Sequence, residues 1–285
     1  MKKFLLLLSI ILCYSSFSKL YASHVMGADL EFQCIGPNQY RVTLTGYRDC
    51  QGIDMSGPQT ISVTSATCGV TTSLTLQQVG PPVDITPVCL SIGSSCHGGS
   101  GIGIEKYTFQ GTLNLPAGCG ADWILSWNLC CRNAAITTLS NPSGENLYIE
   151  AHLNNTLPSC DNSPTFTNDP VGVYCNNFPQ YFNHGAVDAD GDSLYFYMTN
   201  SLGGPGQSVA YNSPRNGTNP MATSSGTVIN SQTGQLTFTP NQTQIAVMKV
   251  GCDEFRNGVL IGHIERDMQV IITNCNNSPP TAGGI

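Results

Sequence analysis

Polar and apolar residues alternate along much of the chain, and a period of two residues is typical of β-strands that bury one face. Residues 29–35 and 40–47 both alternate in this way, and Gly36, Pro37 and Asn38 between them favour a turn. The pattern therefore predicts that the chain opens with a β-hairpin. Further strands are predicted at residues 60–65, 71–79, 106–115, 123–130 and 147–153.

The second half of the chain repeats this pattern of short runs separated by turn residues. Asn257 and Gly258 lie between the last two runs, and an Asn-Gly pair is the strongest short signal for a hairpin. No stretch shows sustained helical periodicity. Strands are predicted at residues 171–174, 194–199, 227–230, 235–239, 245–253 and 260–273.

The predicted fold class is all-β, arranged as two tandem sandwiches of ordinary domain size. Residues 158–170 are rich in Asn, Asp, Ser and Pro and read as a linker and edge strand, so the boundary is placed after residue 157. The first domain is then residues 23–157 and the second is residues 158–275. A loop rich in Gly, Pro, Asn and Ser, residues 203–226, interrupts the second domain, and such long loops are usually functional or mobile.

The first residues have the pattern of a secretory signal peptide. Lys2 and Lys3 precede an apolar run over residues 4–13, and Ala22 provides a small residue for cleavage. The run is shorter than the roughly 20 residues that a membrane-spanning helix needs, so no transmembrane segment is predicted. We therefore predict a signal peptide at residues 1–22 and a secreted, extracellular protein at the cell surface.

Loss of the signal peptide makes the chain strongly acidic. The full chain has 11 basic and 18 acidic residues, and removing Lys2, Lys3 and Lys19 leaves 8 basic residues and a net charge of −10. A surface with this excess of negative charge does not favour nucleic acid or an anionic membrane as a partner. Neither class of partner is therefore expected.

Twelve cysteines remain once Cys13 is removed, and an even count in an exported chain predicts disulfides. Their spacing does not fix the pairing, and the absence of any C-x-x-C motif argues against a zinc site. Adjacent residues of a strand face opposite sides, so Cys130 and Cys131 are expected to bridge to different layers. The predicted disulfide cysteines are Cys34, Cys50, Cys68, Cys89, Cys96, Cys119, Cys130, Cys131, Cys160, Cys175, Cys252 and Cys275.

Residues 188–194 carry the densest candidate chemistry in the chain. Asp188, Asp190 and Asp192 stand at alternate positions just before an apolar strand, with Gly191 allowing the loop to curl. Three carboxylates this close repel one another, and a hard cation such as Ca²⁺ would stabilise them with oxygen ligands. A solvated Asp-Gly turn is the alternative. The spacing does not fit an EF-hand, so further ligands must come from elsewhere, and Asp253 and Glu254 are the natural donors.

A series of short motifs resembles the N-terminal region of large exported surface proteins of Bacteroidota. These adhesin-like proteins often end in a gliding-motility-associated sorting domain. The motifs occur in the same order over the whole mature chain: SHVMG at residues 23–27, YRDC at 47–50, CCRNAAI at 130–136, LNN at 153–155, SPTFTN at 163–168, NHGA at 183–186, DADGDSL at 188–194 and FRNG at 255–258.

The resemblance implies type IX secretion, immunoglobulin- or cadherin-like modules, display at the cell surface and no catalysis. Residues 188–195 are also similar to the acidic loop of cadherin-like repeats, which strengthens the assignment of Ca²⁺ as a bound ion. Residues 274–280 resemble a linker between such repeats, with Asn and Ser replacing its acids, and residues 276–285 are assigned as linker. The chain is therefore expected to be a fragment or a short relative, with further modules of the same polypeptide following.

The sequence does not predict an enzyme. The histidines are scattered, and neither H-E-x-x-H, G-x-S-x-G nor a P-loop motif occurs. A carbohydrate-processing enzyme using Asp188 and Asp192 is the weakest alternative, since nothing builds a sugar cleft around them. Trp123 and Trp127 share one face of a strand and are expected in the core, with a carbohydrate platform as the alternative.

The predicted function is an adhesin-like module for adhesion or surface display, stiffened by calcium in its second domain. Its partner would be an unknown surface glycan or protein. A passive structural spacer within a larger surface protein is the alternative. Exposed aromatic residues in the loop at residues 203–226, such as Tyr211, would favour binding over a spacer role.

Overall fold

The computed structural model describes residues 25–87, 93–157, 160–170 and 172–275. The predicted signal peptide, residues 1–22, and the predicted linker, residues 276–285, lie outside the described residues. Within the described residues the chain forms nineteen β-strands and two short 3-10 helices, Ser95–His97 and Pro142–Gly144. The predicted all-β class is confirmed.

The first half contributes eight strands. β1 and β2 form the predicted opening hairpin, and Asn38 takes a positive φ of 54° in its turn. The strands are β1 (Val25–Gly36), β2 (Gln39–Asp49), β3 (Gln59–Ser65), β4 (Val70–Gln78), β5 (Val83–Asp84), β6 (Ile104–Asn114), β7 (Trp123–Leu129) and β8 (Leu147–Leu153).

The second half contributes eleven strands. The last two form the longest hairpin, and Asn257 and Gly258 both take positive φ at its turn, as the Asn-Gly signal predicted. The strands are β9 (Thr165–Phe166), β10 (Gly172–Cys175), β11 (Gln180–Asn183), β12 (Ala186–Val187), β13 (Ser193–Thr199), β14 (Leu202–Gly204), β15 (Gln207–Ser208), β16 (Thr223–Ile229), β17 (Gln235–Pro240), β18 (Gln244–Arg256) and β19 (Val259–Thr273).

Strand β19 joins the two halves of the chain. One edge pairs with β18 over almost its whole length. The other edge pairs in turn with β8 at His263 and Ile264, with β1 between Arg266 and Met268, and with β10 beyond Val270. Because β19 pairs with both β1 and β8, the strands β19, β1, β2, β6, β4, β3, β7 and β8 form a closed ring of hydrogen-bonded neighbours.

The predicted pair of tandem sandwiches is not confirmed. Strands from both sides of residue 157 belong to one fourteen-stranded sheet, so hydrogen bonding continues across the predicted boundary. The second half adds a three-stranded sheet in the order β11-β17-β16 and a two-stranded pair of β12 with β9. The observed architecture is therefore one large, mainly antiparallel sheet with strands from both halves of the chain, accompanied by two smaller sheets.

The two largest apolar clusters among the described residues hold these sheets together. The larger lies against the ring and contains Trp123 and Trp127, which are 0% and 1% exposed, so the prediction that they are core residues is confirmed. In the smaller cluster, Phe238 of β17 packs with Met248 of β18 and Met268 of β19. The three-stranded sheet thus covers the part of the β18–β19 hairpin that extends past the ring.

Two buried arginines tie the first half of the chain to the second. Arg266 of β19 donates from Nε and Nη2 to the two carboxylate oxygens of Asp29 of β1, both at 2.6 Å. Arg132, which follows β7, donates to both oxygens of Asp267 at 2.7 and 2.8 Å. Such two-point contacts fix orientation as well as charge balance, so they specify how β19 sits between the halves.

Five disulfides link cysteines among the described residues. They are Cys34–Cys160, Cys50–Cys96, Cys68–Cys119, Cys130–Cys131 and Cys175–Cys275. The first of them joins the two halves of the chain. Disulfides of this number are compatible with an extracellular protein. Among the described residues, no helix combines the length and apolar character needed to cross a membrane.

Two expectations about the cysteines are wrong. Cys130 and Cys131 bond to each other rather than to different layers, because β7 ends at Leu129 and the alternation of a strand does not extend to them. Cys252 is a buried free thiol instead of a disulfide partner. Cys89 lies outside the described residues.

Candidate functional site

The acidic loop, residues 188–192, connects β12 to β13 and folds around its first carboxylate. The Asp188 Oδ1 atom accepts the backbone N–H groups of Asp190 at 2.9 Å and Asp192 at 2.8 Å. Gly191 takes a φ of 82°, a backbone conformation that residues with a side chain rarely adopt. The loop therefore curls as the sequence predicted and leaves the second oxygen of Asp188 directed into the protein.

Two further carboxylates reach this loop from other segments. Glu254 lies on β18 directly opposite Leu194 of β13, and Asp161 follows the Cys34–Cys160 disulfide. Oxygens of Asp161, Asp192 and Glu254 all lie within 4.8 Å of one another, as do those of the three loop aspartates. We call Asp161, Asp188, Asp190, Asp192 and Glu254 the acidic cluster.

Arg256 is the cation bonded to this cluster. Its Nε atom donates to Asp192 at 3.0 Å, and its Nη2 atom donates to Asp161 at 2.6 Å and lies 3.5 Å from Asp190. Asp190 also accepts from the backbone N–H of Asn162 at 2.8 Å. The cluster thus holds five carboxyl groups for one bonded guanidinium and keeps a large excess of acidic groups.

Four buried oxygens of the cluster have no hydrogen-bond partner among the described residues. They are Oδ2 of Asp161, Oδ2 of Asp188 and both carboxyl oxygens of Glu254. Asp161 and Glu254 are each 0% exposed, so solvent does not satisfy them either. Buried polar atoms in proteins almost always have a partner, so these oxygens need a bound cation, a water or a proton.

The electrostatics of the cluster follow from burial and crowding. Burial, with the nearby charges of Asp161 and Asp188, raises the pKa of Glu254 from 4.5 to about 10. Burial also raises the pKa of Asp161 to about 7, although Arg256 opposes this. Hydrogen bonds from Arg256 instead lower the pKa of Asp192. Without a further cation, the carboxyl group of Glu254 therefore holds its proton at neutral pH.

Gly262 of β19 makes room for Glu254. A Cβ atom at this position would lie 2.5 Å from the Glu254 Oε2 atom, which is too close for a real contact. A strand glycine often marks the close approach of another group. The glycine at position 262 thus allows the Glu254 carboxyl group to pack directly over the backbone of β19.

The donor set of this cluster suits calcium. Ca²⁺ takes six to eight oxygen ligands, mainly carboxylates and carbonyls. The cluster offers four unpartnered oxygens from three separate segments, and each would gain a partner from such an ion. Nitrogen and sulfur ligands, which zinc and copper favour, do not contribute to it.

Asp253 does not join the cluster, contrary to the sequence-based assignment. Neighbouring residues of a strand face opposite sides, so Glu254 and Asp253 cannot both point at the acidic loop. Asp253 instead lies 2.7 Å from Nδ1 of His263 and accepts from the Tyr197 hydroxyl at 3.2 Å. It belongs to a polar row on the other face of β18 and β19.

His263 in this row provides a pH-dependent contribution to stability. Burial lowers its pKa, but hydrogen bonds to Asp253 and Glu265 outweigh burial and raise the pKa from 6.5 to about 9. His152 lies beside it with ring centroids 5.1 Å apart, and Lys249 is 2.6 Å from Glu265. Since the folded protein holds the proton more tightly, His263 stabilises it fully below pH 6.5 and loses this effect as the pH rises through 9.

Replacing His263 by Gln is therefore expected to flatten the pH dependence of stability between pH 6.5 and 9. Urea unfolding at a series of pH values, with calcium saturating throughout, measures the effect. The same substitution at His152, whose side chain is 43% exposed, is the control. Parallel pH profiles for wild type and the His263 variant would contradict the assignment.

Other residues singled out in the sequence lie away from the cluster or are less exposed than expected. His184 is fully buried between the rings of Phe166 and Phe182. Tyr211 is partly buried, and its hydroxyl accepts the backbone N–H of Ser201 at 2.8 Å. Tyr211 therefore does not provide the exposed aromatic surface that would favour binding.

Asp161 is the member of the cluster that the sequence did not reveal. It stands in a polar stretch with no acidic neighbour, and nothing local marks it as a ligand. Its place is set by long-range contacts, because Cys160 is bonded to Cys34 and the Ser163 N–H donates to Phe32 at 3.0 Å.

No protein-family model, curated protein or solved structure matches this chain.

Proposed function

We propose that this chain is a non-enzymatic, exported module of the cell surface that is stiffened by a calcium ion in the acidic cluster. The observation that carries the proposal is the set of four buried, unpartnered carboxyl oxygens. Burying acidic groups without partners is unfavourable, and a tightly held divalent cation is the simplest compensation.

Asp161, Asp188, Asp192 and Glu254 are the residues that would hold the ion, with Asp190 beside them. These residues come from the segment after Cys160, from the acidic loop and from β18. A bound Ca²⁺ supplies charge neutralisation and ties these three segments together. The protein's own contribution is to hold the oxygens in place through the Asp188 loop contacts and the Arg256 ion pairs.

The location at the cell surface is supported by the disulfides and by the resemblance to exported surface proteins. Five disulfides among the described residues favour an oxidising compartment over the cytosol. The immunoglobulin- or cadherin-like character of the sheets, adhesion and type IX secretion are further parts of the proposal. They rest on the sequence motifs at residues 23–27, 130–136 and 188–194.

Calcium is expected to raise the melting temperature of the protein by a few degrees. At about millimolar calcium and a dissociation constant of about 10⁻⁴ M, which is typical of extracellular calcium modules, the ion adds about 1.4 kcal/mol. The double variant Asp190→Asn with Asp192→Asn should lose this rise. It removes Asp192, which is a ligand and also holds Arg256, and the negative charge of Asp190 beside the site. Differential scanning calorimetry with calcium and with chelator measures it.

Asp49→Asn is the matched control, because it removes a carboxylate from the end of β2, outside the cluster. This variant should keep the full response to calcium. An undiminished rise in the double variant, or no rise in the wild-type protein, would refute the calcium site.

A further inference from the structure

A small polar cleft lies beside the acidic cluster, on the outer face of β1, β2 and β6. Its volume is about 230 Å³. The segment at residues 162–165 and Ala189 of the acidic loop form its walls. Asn162 belongs to both features, since it lines the cleft and donates through its backbone N–H to Asp190 at 2.8 Å.

The floor of the cleft is built by cross-strand neighbours with polar side chains. Glu31 of β1 lies opposite Thr43 of β2, and Thr43 lies opposite Gln110 of β6. In the next row, Gln33 lies opposite Arg41. Because side chains alternate along strands, these groups face outward while Phe32 and Leu30 enter the core. The floor therefore offers amide, hydroxyl, carboxyl and guanidinium groups on one surface.

Arg41 is the unusual member of this floor. Among the described residues, Arg41 and Arg215 are the two Lys or Arg side chains without a carboxylate partner at ion-pair distance. Arg41 is exposed, and its contact within the cleft is a 3.3 Å hydrogen bond from Nη1 to Gln33. In a chain with so strong an acidic excess, an exposed arginine without a carboxylate partner leaves a cation available to a ligand.

We propose that this cleft binds one carboxylate-bearing sugar unit of an acidic glycan, with Arg41 pairing to the sugar carboxylate. This inference rests on the proposed function as an adhesion module and names the ligand class. Arginine pairs with carboxylates through two parallel hydrogen bonds, which gives both strength and orientation. The side-chain amides of Gln33 and Gln110 supply donors and acceptors for sugar hydroxyls.

The size of the cleft supports a single sugar ring. Pockets for drug-sized ligands hold about 300–1,000 Å³, and this cleft is smaller. A monosaccharide also suits a floor in which polar groups outnumber apolar ones, because each hydroxyl needs a partner when it leaves water.

Glu31 adds a dependence on pH. Burial, followed by the charge of Asp29, raises the pKa of Glu31 from 4.5 to about 7. Below this value the carboxyl group is protonated and can donate to the ligand. Above it, its negative charge repels a carboxylate, so binding is expected to weaken as the pH rises past about 7.

The test is a titration of the protein, in millimolar calcium, with glucuronic acid and galacturonic acid and with glucose and galactose as neutral counterparts. The acidic sugars are expected to bind at least about tenfold more tightly than the neutral ones. Arg41→Gln should remove this preference. Arg215→Gln, which removes the same charge outside the cleft, should keep it. Isothermal titration calorimetry gives the affinities, and a melting curve of each variant confirms that it is folded.

Glu31→Gln provides a second variant that keeps the proposal testable if the arginine variant does not fold. It should bind the acidic sugars without the weakening above about pH 7. Equal binding of acidic and neutral sugars, an unchanged preference in Arg41→Gln, or no binding at all would overturn the proposal. The melting temperature of the same samples is also measured with and without calcium. If it rises with calcium while no sugar binds, the cleft proposal fails and the calcium site stands.

Discussion

Replacing Glu254 by Gln is expected to stabilise the calcium-free protein by about 3 kcal/mol at about pH 7 and to abolish its response to calcium. The reason is the high pKa of the buried carboxyl group, which is raised from 4.5 to about 10. At neutral pH the unfolded chain releases this proton and the folded chain keeps it. The amide keeps the shape of the acid, does not ionise and can donate to the neighbouring carboxylates.

The same shift determines the sign of the pH dependence. An acid with a raised pKa binds more protons in the folded state, so the calcium-free protein loses stability as the pH rises from 4.5 towards 10. The roughly 2.5 pH units between 4.5 and 7 correspond to about 3 kcal/mol. Calcium should reverse this trend, because it binds the ionised form and releases the proton.

Asp192→Asn is the matched contrast within the cluster. The pKa of Asp192 is lowered by Arg256, so its ionised form already stabilises the calcium-free protein. This variant should therefore destabilise the protein in chelator, whereas Glu254→Gln stabilises it, and both should lose the calcium effect. Urea unfolding of wild type and both variants, in chelator and in calcium, measures these stabilities. A Glu254→Gln variant that is less stable in chelator than wild type would contradict this account of the buried carboxyl group.

Removing the Cys34–Cys160 disulfide is expected to lower the free energy of unfolding by about 5 kcal/mol. The bond closes a loop between cysteines 126 residues apart, and the loss of chain entropy in the unfolded state grows with loop length. The double Ser variant should also respond less to calcium, because Asp161 follows Cys160 directly. Guanidinium unfolding under non-reducing conditions gives the stability.

The Cys130–Cys131 disulfide is the control for this argument. Its cysteines are adjacent in sequence, so it closes no long loop and restricts the unfolded chain little. Its double Ser variant should lose much less stability than the Cys34–Cys160 variant. Similar losses in the two variants would show that loop closure is not the source of the effect.

Much of the local structure could be predicted from the residues. The alternation at residues 29–35 and 40–47 and the Asn-Gly pair at 257–258 both act through neighbouring residues, and both hairpins form where predicted. The curl of the acidic loop was also predictable, because Gly191 and the alternate aspartates define it locally. These features depend on turn chemistry and on a period of two residues.

The features that were missed depend on contacts between distant residues. Asp161 reaches the cluster through a disulfide to Cys34, and no pattern in its own segment indicates that. Asp253 was assigned with Glu254, although strand alternation allows only one of two neighbours to face the loop. The sharing of β19 by both halves also depends on pairing across more than 200 residues, as between Asp29 and Arg266.

The arrangement around β19 has a mechanical consequence. Tension on the chain beyond Cys275 is passed by the Cys175–Cys275 disulfide to β10, which runs parallel to β19 and pairs with it from Gly172 to Cys175. Because the disulfide joins the same ends of β10 and β19, force applied there is shared by both strands and does not peel one from the other. The N-terminal strand β1 pairs with the same strand, at Gly27 and Met268. Opening the protein at the Cys275 end therefore requires β10 and β19 to move together.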